Sequence, residues 1–248
     1  MLIKKYKKLS NGQYKLFLDD ESEICLYEDV ILKYNFLIDK KITPAIKKDI
    51  ELYNNLCDVY YVSIKSLKSR FKSTKELREL LLKKGYSVED IDVTIKKLLD
   101  QGYLNDDSFC KSYINNQIIT SLKGPLKITK ELLSKGVSID IINNNIDIFT
   151  VEQQLEKITK IINRLIKSNK TRGGSVLRKK ILTYLINLGY DSSLVSSELT
   201  KYDFTISTDI YKREYDKLYK KYSRKYEGKE LEYKIKEKLY QKGLYYEN

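Results

Sequence analysis

Leu77-Arg78-Glu79-Leu80-Leu81-Leu82-Lys83-Lys84-Gly85-Tyr86 is the stretch on which the fold turns. Leu77, Leu81 and Leu82 stand eight, four and three positions before the glycine and share one helical face. Gly85 can then end the helix in the left-handed conformation that disfavours any residue with a Cβ. Tyr86 supplies the apolar contact that closes such an end. The same text returns three times. Ile128/Leu132/Leu133 precede Gly136-Val137, Ile181/Leu185/Ile186 precede Gly189-Tyr190, and Ile235/Leu239/Tyr240 precede Gly243-Leu244. The four glycines are 51, 53 and 54 residues apart, so the chain repeats with a period just over fifty.

Working outward, a second helix is predicted after each glycine. Six and ten residues on come Ile91/Ile95, Ile142/Ile146 and Val195/Leu199, with Ser87, Ser138 and Asp191 placed as caps. A third helix precedes each glycine helix, over roughly 53–69, 107–122, 151–168 and 207–226. Short turns at Phe71-Lys72-Ser73, Lys123-Gly124-Pro125, Arg172-Gly173-Gly174 and Gly228 join the two. Units this small bury little alone, so neighbours must pack on one another.

The first forty residues read differently. Ile3–Leu9, Tyr14–Leu18 and Glu23–Tyr27 are strand-like and are separated by turns at Asn11-Gly12 and 19–22. A short helix is expected over 29–36, and Thr43-Pro44 then opens the helical part. The expected architecture is therefore mainly α: tandem three-helix repeats forming an elongated curved body, with a small N-terminal antiparallel β meander. The expected divisions are 1–43 for the meander and short helix, 44–105, 106–150 and 151–202 for three repeats, and 203–248 for a truncated fourth.

Composition narrows the function. The 248 residues include no histidine, which removes histidine bases, histidine-dependent nucleophiles and histidine metal ligands. Cys25, Cys57 and Cys110 form no C-x-x-C pair, so neither a zinc ribbon nor a disulfide framework is expected. No apolar stretch reaches membrane-spanning length and no secretory leader opens the chain, so a cytoplasmic location is expected. Gly173-Gly174 lacks the phosphate-loop pattern. The carboxylate pair Asp106-Asp107 resembles a Mg²⁺ site but sits where a helix begins, which favours capping. No enzyme and no cofactor are expected.

What remains is charge. The net charge is +13, and no acidic residue occurs between Glu156 and Asp191 while nine basic residues do. A run of one sign this long points to an anionic partner, or to a plainly solvated face. Basic residues gather at the turns: Arg70 and Lys72; Lys123, Lys127 and Lys130; Lys170, Arg172, Arg178, Lys179 and Lys180. Helix N-termini beside lysines suit phosphate. Tyr211, Tyr215, Tyr219, Tyr222 and Tyr226 alternate with basic residues that include Lys220, Lys221, Arg224 and Lys225. That pattern fits base stacking on single-stranded nucleic acid, or the core face of the last repeat.

The repeat also resembles a known family. Leu67-Lys68-Ser69-Arg70-Phe71-Lys72-Ser73-Thr74-Lys75-Glu76-Leu77, followed by Leu82-Lys83-Lys84-Gly85-Tyr86, looks like the first unit of the RecX regulatory protein family. Gly102-Tyr103-Leu104-Asn105-Asp106-Asp107-Ser108-Phe109 resembles its linker into the second unit. Lys123-Gly124-Pro125-Leu126-Lys127-Ile128 and Glu131-Leu132-Leu133-Ser134-Lys135-Gly136-Val137 resemble the second unit itself. The likeness is specific over Val62 to about Phe149 and looser beyond, and the extra units are similar to longer, Gram-positive-type members. The resemblance implies a modulator of the RecA recombinase that binds RecA–single-stranded-DNA filaments, lies along their groove and inhibits strand exchange and ATP hydrolysis. A freestanding DNA-binding repeat protein or transcriptional regulator is the alternative, and a helical scaffold for another protein is a third reading.

Overall fold

The computed structural model describes residues 1–169, 171–205 and 208–244. It is mainly helical, with one three-stranded antiparallel sheet in the order β1-β2-β3: β1 Ile3–Lys8, β2 Gln13–Leu18 and β3 Glu23–Tyr27. The expected single helix at 29–36 is two pieces, α1 (Glu28–Lys33) and α2 (Phe36–Asp39). Asn35 between them has φ 54°, a left-handed value that no helix can carry through.

The long helix α3 (Pro44–Ser69) begins nine residues earlier than expected from its apolar pattern, with proline in its first turn. Thr43 precedes it in extended conformation but makes no side-chain cap bond. Helix α3 serves two cores. Ile50 and Cys57 pack with Leu16, Leu18, Leu26, Val30 and Phe36 of the β module, whereas Val59 packs with the first repeat. Asp58, between these faces, accepts hydrogen bonds from Tyr27 and Tyr86, both at 2.5 Å. The expected division at 43/44 thus falls at the start of a helix that both neighbours use.

The repeats follow in three-helix units. The first continues with α4 (Thr74–Lys83) and α5 (Val88–Asp100). The second has α6 (Asp106–Thr120), α7 (Pro125–Ser134) and a short α8 (Ile139–Asn143) extended by a 3-10 turn at Ile146–Ile148. The third has α9 (Val151–Ser168), α10 (Gly174–Asn187) and α11 (Ser192–Leu199), and the last has α12 (Thr208–Tyr222) and α13 (Gly228–Gln241). Capping follows the sequence. Ser73 with Glu76 and Thr150 with Gln153 form capping boxes, and Asp191 accepts from the amides of Ser193 and Leu194.

Gly85, Gly136, Gly189 and Gly243 all have positive φ, at 88°, 83°, 91° and 70° respectively. At Gly189 the amide bonds to Ile186 and that of Tyr190 to Leu185, the paired bonds of a left-handed helix end.

The chain forms two compact units, 1–109 with 135–138, and 110–134 with 139–248. Both contain one recurring joint, in which a glycine turn meets the start of a glycine helix from the preceding repeat. In the first unit the Ser73 hydroxyl donates to the Lys135 carbonyl at 2.6 Å, and Lys135 pairs with Glu76 at 2.6 Å. In the second unit the Gly124 amide donates to Leu188 at 2.7 Å and that of Leu126 to Gly189 at 3.0 Å. The Gly173 amide likewise donates to Lys242 at 3.1 Å. A carbonyl end therefore meets an amide end each time, the favourable sense for helix dipoles. A Cβ on Gly124 would lie 2.5 Å from the Gly189 carbonyl, so this joint admits no side chain.

Candidate functional site

The acid-free span from Glu156 to Asp191 folds into α9, its turn and α10. On α9, Ile158, Ile161 and Ile162 are buried, so 3.6-residue periodicity puts Lys160, Arg164 and Lys167 on the exposed side. On α10, Leu177, Ile181 and Leu185 are buried and Arg178, Lys179 and Lys180 are exposed. Lys180 lines a shallow hollow of about 110 Å³ with Ser168, Asn169 and Tyr184, which sets it beside the end of α9. The Asn169 amide side chain holds the turn by donating to the Arg172 carbonyl at 2.9 Å.

Few acids approach this face. Lys160 pairs with Glu156, and Glu198 on α11 is buried, accepting from Thr159 and Lys201. Arg164, Lys167, Arg172, Arg178, Lys179 and Lys180 have no ion-pair partner among the described residues. Six exposed cations with no such partner leave α9, its turn and α10 positively charged, which attracts anions. Lys157, the first basic residue of the span, does not belong to it. Its ammonium donates to the carbonyls of Ile118 and Ser121, closing the end of α6, and burial pushes its pKa down.

The remaining sequence candidates fall into different settings. Lys72 is 6% exposed; its ammonium is spent on the Ser66 carbonyl at 2.7 Å, and burial lowers its pKa. Arg70 is exposed and 3.7 Å from Glu76. Lys123 is half-buried and paired with Glu131 at 2.7 Å. Burial pushes the Glu131 carboxyl up, but Lys123 and the Tyr113 hydroxyl outweigh it and hold it below the usual range. Lys127 is half-buried with its backbone against Gly189, and Lys130 is exposed. Lys170 lies outside the described residues. Lys220, Lys221, Arg224 and Lys225 are exposed at and beyond the end of α12, where cations suit the helix dipole.

Several amides at the basic turns are already engaged. Those at the starts of α7 and α10 donate to Leu188, Gly189 and Lys242, and the Gly174 amide donates to Phe204. At the start of α4 the Thr74 amide is taken by Asp106 at 2.8 Å. Asp106 thus serves the start of α4 rather than that of its own helix α6, where Asn105 accepts from the Ser108 amide. Tyr211, Tyr215, Tyr222 and Tyr226 pack half-buried against the core of Leu218, Leu231, Ile235, Leu239 and Leu244, while Tyr219 is exposed. The core face is therefore the main use of that tyrosine row.

Among the described residues there is no group of three Cys, Asp or Glu able to hold a metal ion, and no helix is long and apolar enough to cross a membrane. Sequence reasoning passed over Arg164 and Lys167, although their spacing opposite Ile158, Ile161 and Ile162 carried the signal.

Residues 105–144 match the family model described as RecX, second three-helix domain. The regulatory protein RecX of Listeria monocytogenes serotype 4a (strain HCC23) is 32% identical over 239 residues, 95% of this chain and 88% of that protein. That of Lactococcus lactis subsp. cremoris (strain MG1363) is 29% identical over 260 residues, 99% of this chain and 93% of the relative. A crystal structure of regulatory protein RecX superposes with a TM-score of 0.67 at 22% identity, covering 79% of this chain and 98% of the other. RecX from Lactobacillus salivarius gives a TM-score of 0.57 at 22% identity over 60% of this chain and 97% of the other.

Proposed function

The chain belongs to the family of RecX regulatory proteins, and from that premise we propose that it binds RecA–single-stranded-DNA filaments, lies along their groove and restrains the recombinase without catalysing a reaction of its own. The observation that carries this reading is the exposed basic surface of α9 and α10, where Arg164, Lys167, Arg172, Arg178, Lys179 and Lys180 stand without acidic partners among the described residues. A filament offers DNA phosphates and acidic protein side chains together, and either would complement this face. Tandem repeats present such contacts at intervals, which suits a long partner better than a small molecule.

The deciding experiment is DNA-dependent ATP hydrolysis by the cognate RecA, titrated with this protein below one molecule per RecA. Loss of hydrolysis at sub-stoichiometric ratios, without matching sequestration of free DNA, supports filament regulation. Unchanged hydrolysis with folded protein refutes it and leaves the freestanding DNA-binding reading. The triple change Arg178→Ala, Lys179→Ala, Lys180→Ala tests the surface. For three phosphate contacts on single strands the log–log salt slope of binding falls by about 2. An unchanged slope and affinity would remove α10 from the interface.

A further inference from the structure

The small sheet leaves the outer edge of β3 without a partner strand. β3 bonds to β2 on one side only. Along an antiparallel strand the main-chain groups of alternate residues point to opposite sides. Two bonds fix the phase here. Ser22 accepts from Leu18 on the β2 side, and the Tyr27 amide turns away from β2 to reach Asn54. Glu23, Cys25 and Tyr27 therefore direct their main-chain groups outward.

Asn54, on α3, already acts on this edge like a peptide group. Its Oδ1 accepts from the Tyr27 amide at 3.0 Å and its Nδ2 donates to the Cys25 carbonyl at 3.3 Å. Beyond that bridge, the Cys25 amide and both main-chain groups of Glu23 point away from the ladder and have no partner among the described residues. Beside them, between β3 and α3, lies a cavity of about 400 Å³ lined on its apolar side by Met1, Leu18, Leu26, Ile42 and Ile50. That volume falls within the range of ligand pockets. The turn entering β3 carries Asp19, Asp20, Glu21 and then Glu23, all exposed, an acidic corner on a chain of net charge +13. Only Glu23 of the four is in an ion pair among the described residues, with Lys15. Exposed edges are usually blunted by proline, lysine or a covering element; β3 contains neither residue, and α3 meets this edge through Asn54.

We propose that an extended peptide segment of another protein adds to β3 as a fourth strand. Its main chain pairs with Glu23 and Cys25, one of its alternate apolar side chains fills the cavity, and a lysine or arginine at its end meets the acidic turn. Strand addition of this kind takes affinity from main-chain bonds and specificity from the pocket. The inference is independent of the basic surface, because it involves neither the same residues nor the same partner chemistry.

The test uses the intact chain and the capped heptapeptide Lys-Thr-Val-Thr-Val-Thr-Lys. Cys25 is exposed beside the edge while Cys57 and Cys110 are buried, so iodoacetamide reports on Cys25. Two further peptides are N-methylated on alternate residues, each blocking one strand edge. The expected result is that the parent, at about 1 mM, and one methylated peptide slow Cys25 alkylation about tenfold, and the other methylated peptide does not. Any other pattern overturns the proposal: no protection by the parent, or equal protection by all three. The variant Cys25→Pro removes the outward amide and no ladder bond, which edge strands tolerate. It is expected to lose parent binding by calorimetry with unchanged melting. Retained binding refutes strand pairing, and if the variant does not fold the wild-type peptide series decides alone.

Discussion

Gly189→Ala is expected to damage the molecule far more than an ordinary glycine replacement in the same compact unit. Two effects add. The residue has φ 91°, and placing a Cβ in the left-handed region costs about 1–2 kcal/mol. The new Cβ would also lie 2.4 Å from the Lys127 amide nitrogen and 2.6 Å from its Cβ. The first is backbone, so the joint must part. Parting breaks the bonds from Gly124 to Leu188 and from Leu126 to Gly189, at about 1 kcal/mol each. The sum is about 3–4 kcal/mol. Gly228 is the control, with φ 55° and nothing within 4 Å of an added Cβ, so Gly228→Ala costs only the conformational 1–2 kcal/mol, roughly. In thermal unfolding, at about 2–4 °C per kcal/mol for chains of this size, Gly189→Ala should melt at least about 4 °C below Gly228→Ala. Gly124→Ala meets the same joint without a positive φ and should cost about 2 kcal/mol through the same two bonds. The double variant should then be clearly less destabilised than the sum, since either change opens one joint. Equal melting of Gly189→Ala and Gly228→Ala, or simple additivity of the pair, would refute the joint.

Other expectations follow from single contacts. Lys157→Met removes two carbonyl contacts at the end of α6 and should cost about 1–3 kcal/mol by urea unfolding, although the residue lies in the basic run; filament binding should persist. Glu76 and Glu214 are pushed up by burial, but their lysine partners Lys135, and Lys242 with Lys217, outweigh it and depress them, as Lys123 does Glu131. Their folded pKa values lie below the unfolded value of about 4.3, so their contribution is complete above that pH and lost as pH falls through the depressed values. Urea midpoints should therefore hold from neutral to about pH 5 and drop below about pH 4, with no histidine step between. On the alkaline side, burial raises the Tyr190 phenol to about 12. Its contribution is present below the unfolded value of about 10 and is lost as pH rises through the folded value. Tyr190→Phe removes its bond to the Leu122 carbonyl and should cost about 1 kcal/mol, flattening that alkaline loss.

Much of the fold was legible because helix ends leave local signatures. The glycine followed by an apolar residue marks all four glycine helices, and Ser87 and Asp191 cap as their positions imply. The break at Asn35 was not legible, because asparagine enters the left-handed region at only some of its positions and leaves no fixed pattern. The basic surface was half legible. Charge counting nominated Arg178, Lys179 and Lys180, which are exposed, and equally Lys72, because it cannot separate a cation in solvent from one donating to carbonyls. Lys72 and Lys157 are of the second kind, and their acceptors Ser66, Ile118 and Ser121 are main-chain oxygens, invisible in a residue pattern. The joints were invisible for the same reason: Gly124 reads as a turn, and only the packed chain shows that Gly189 needs it bare.

Because α3 supplies side chains to the β module and to the first repeat alike, the two should melt together rather than in two steps. Cutting the chain at its start would strip Ile50, Tyr53 and Cys57 of their partners and leave an oily flank on the first repeat. Asp58 would lose the Tyr27 hydroxyl and keep that of Tyr86. The repeats therefore cannot be shortened from the amino end like beads from a string, and the β module is inherited with its neighbour or not at all.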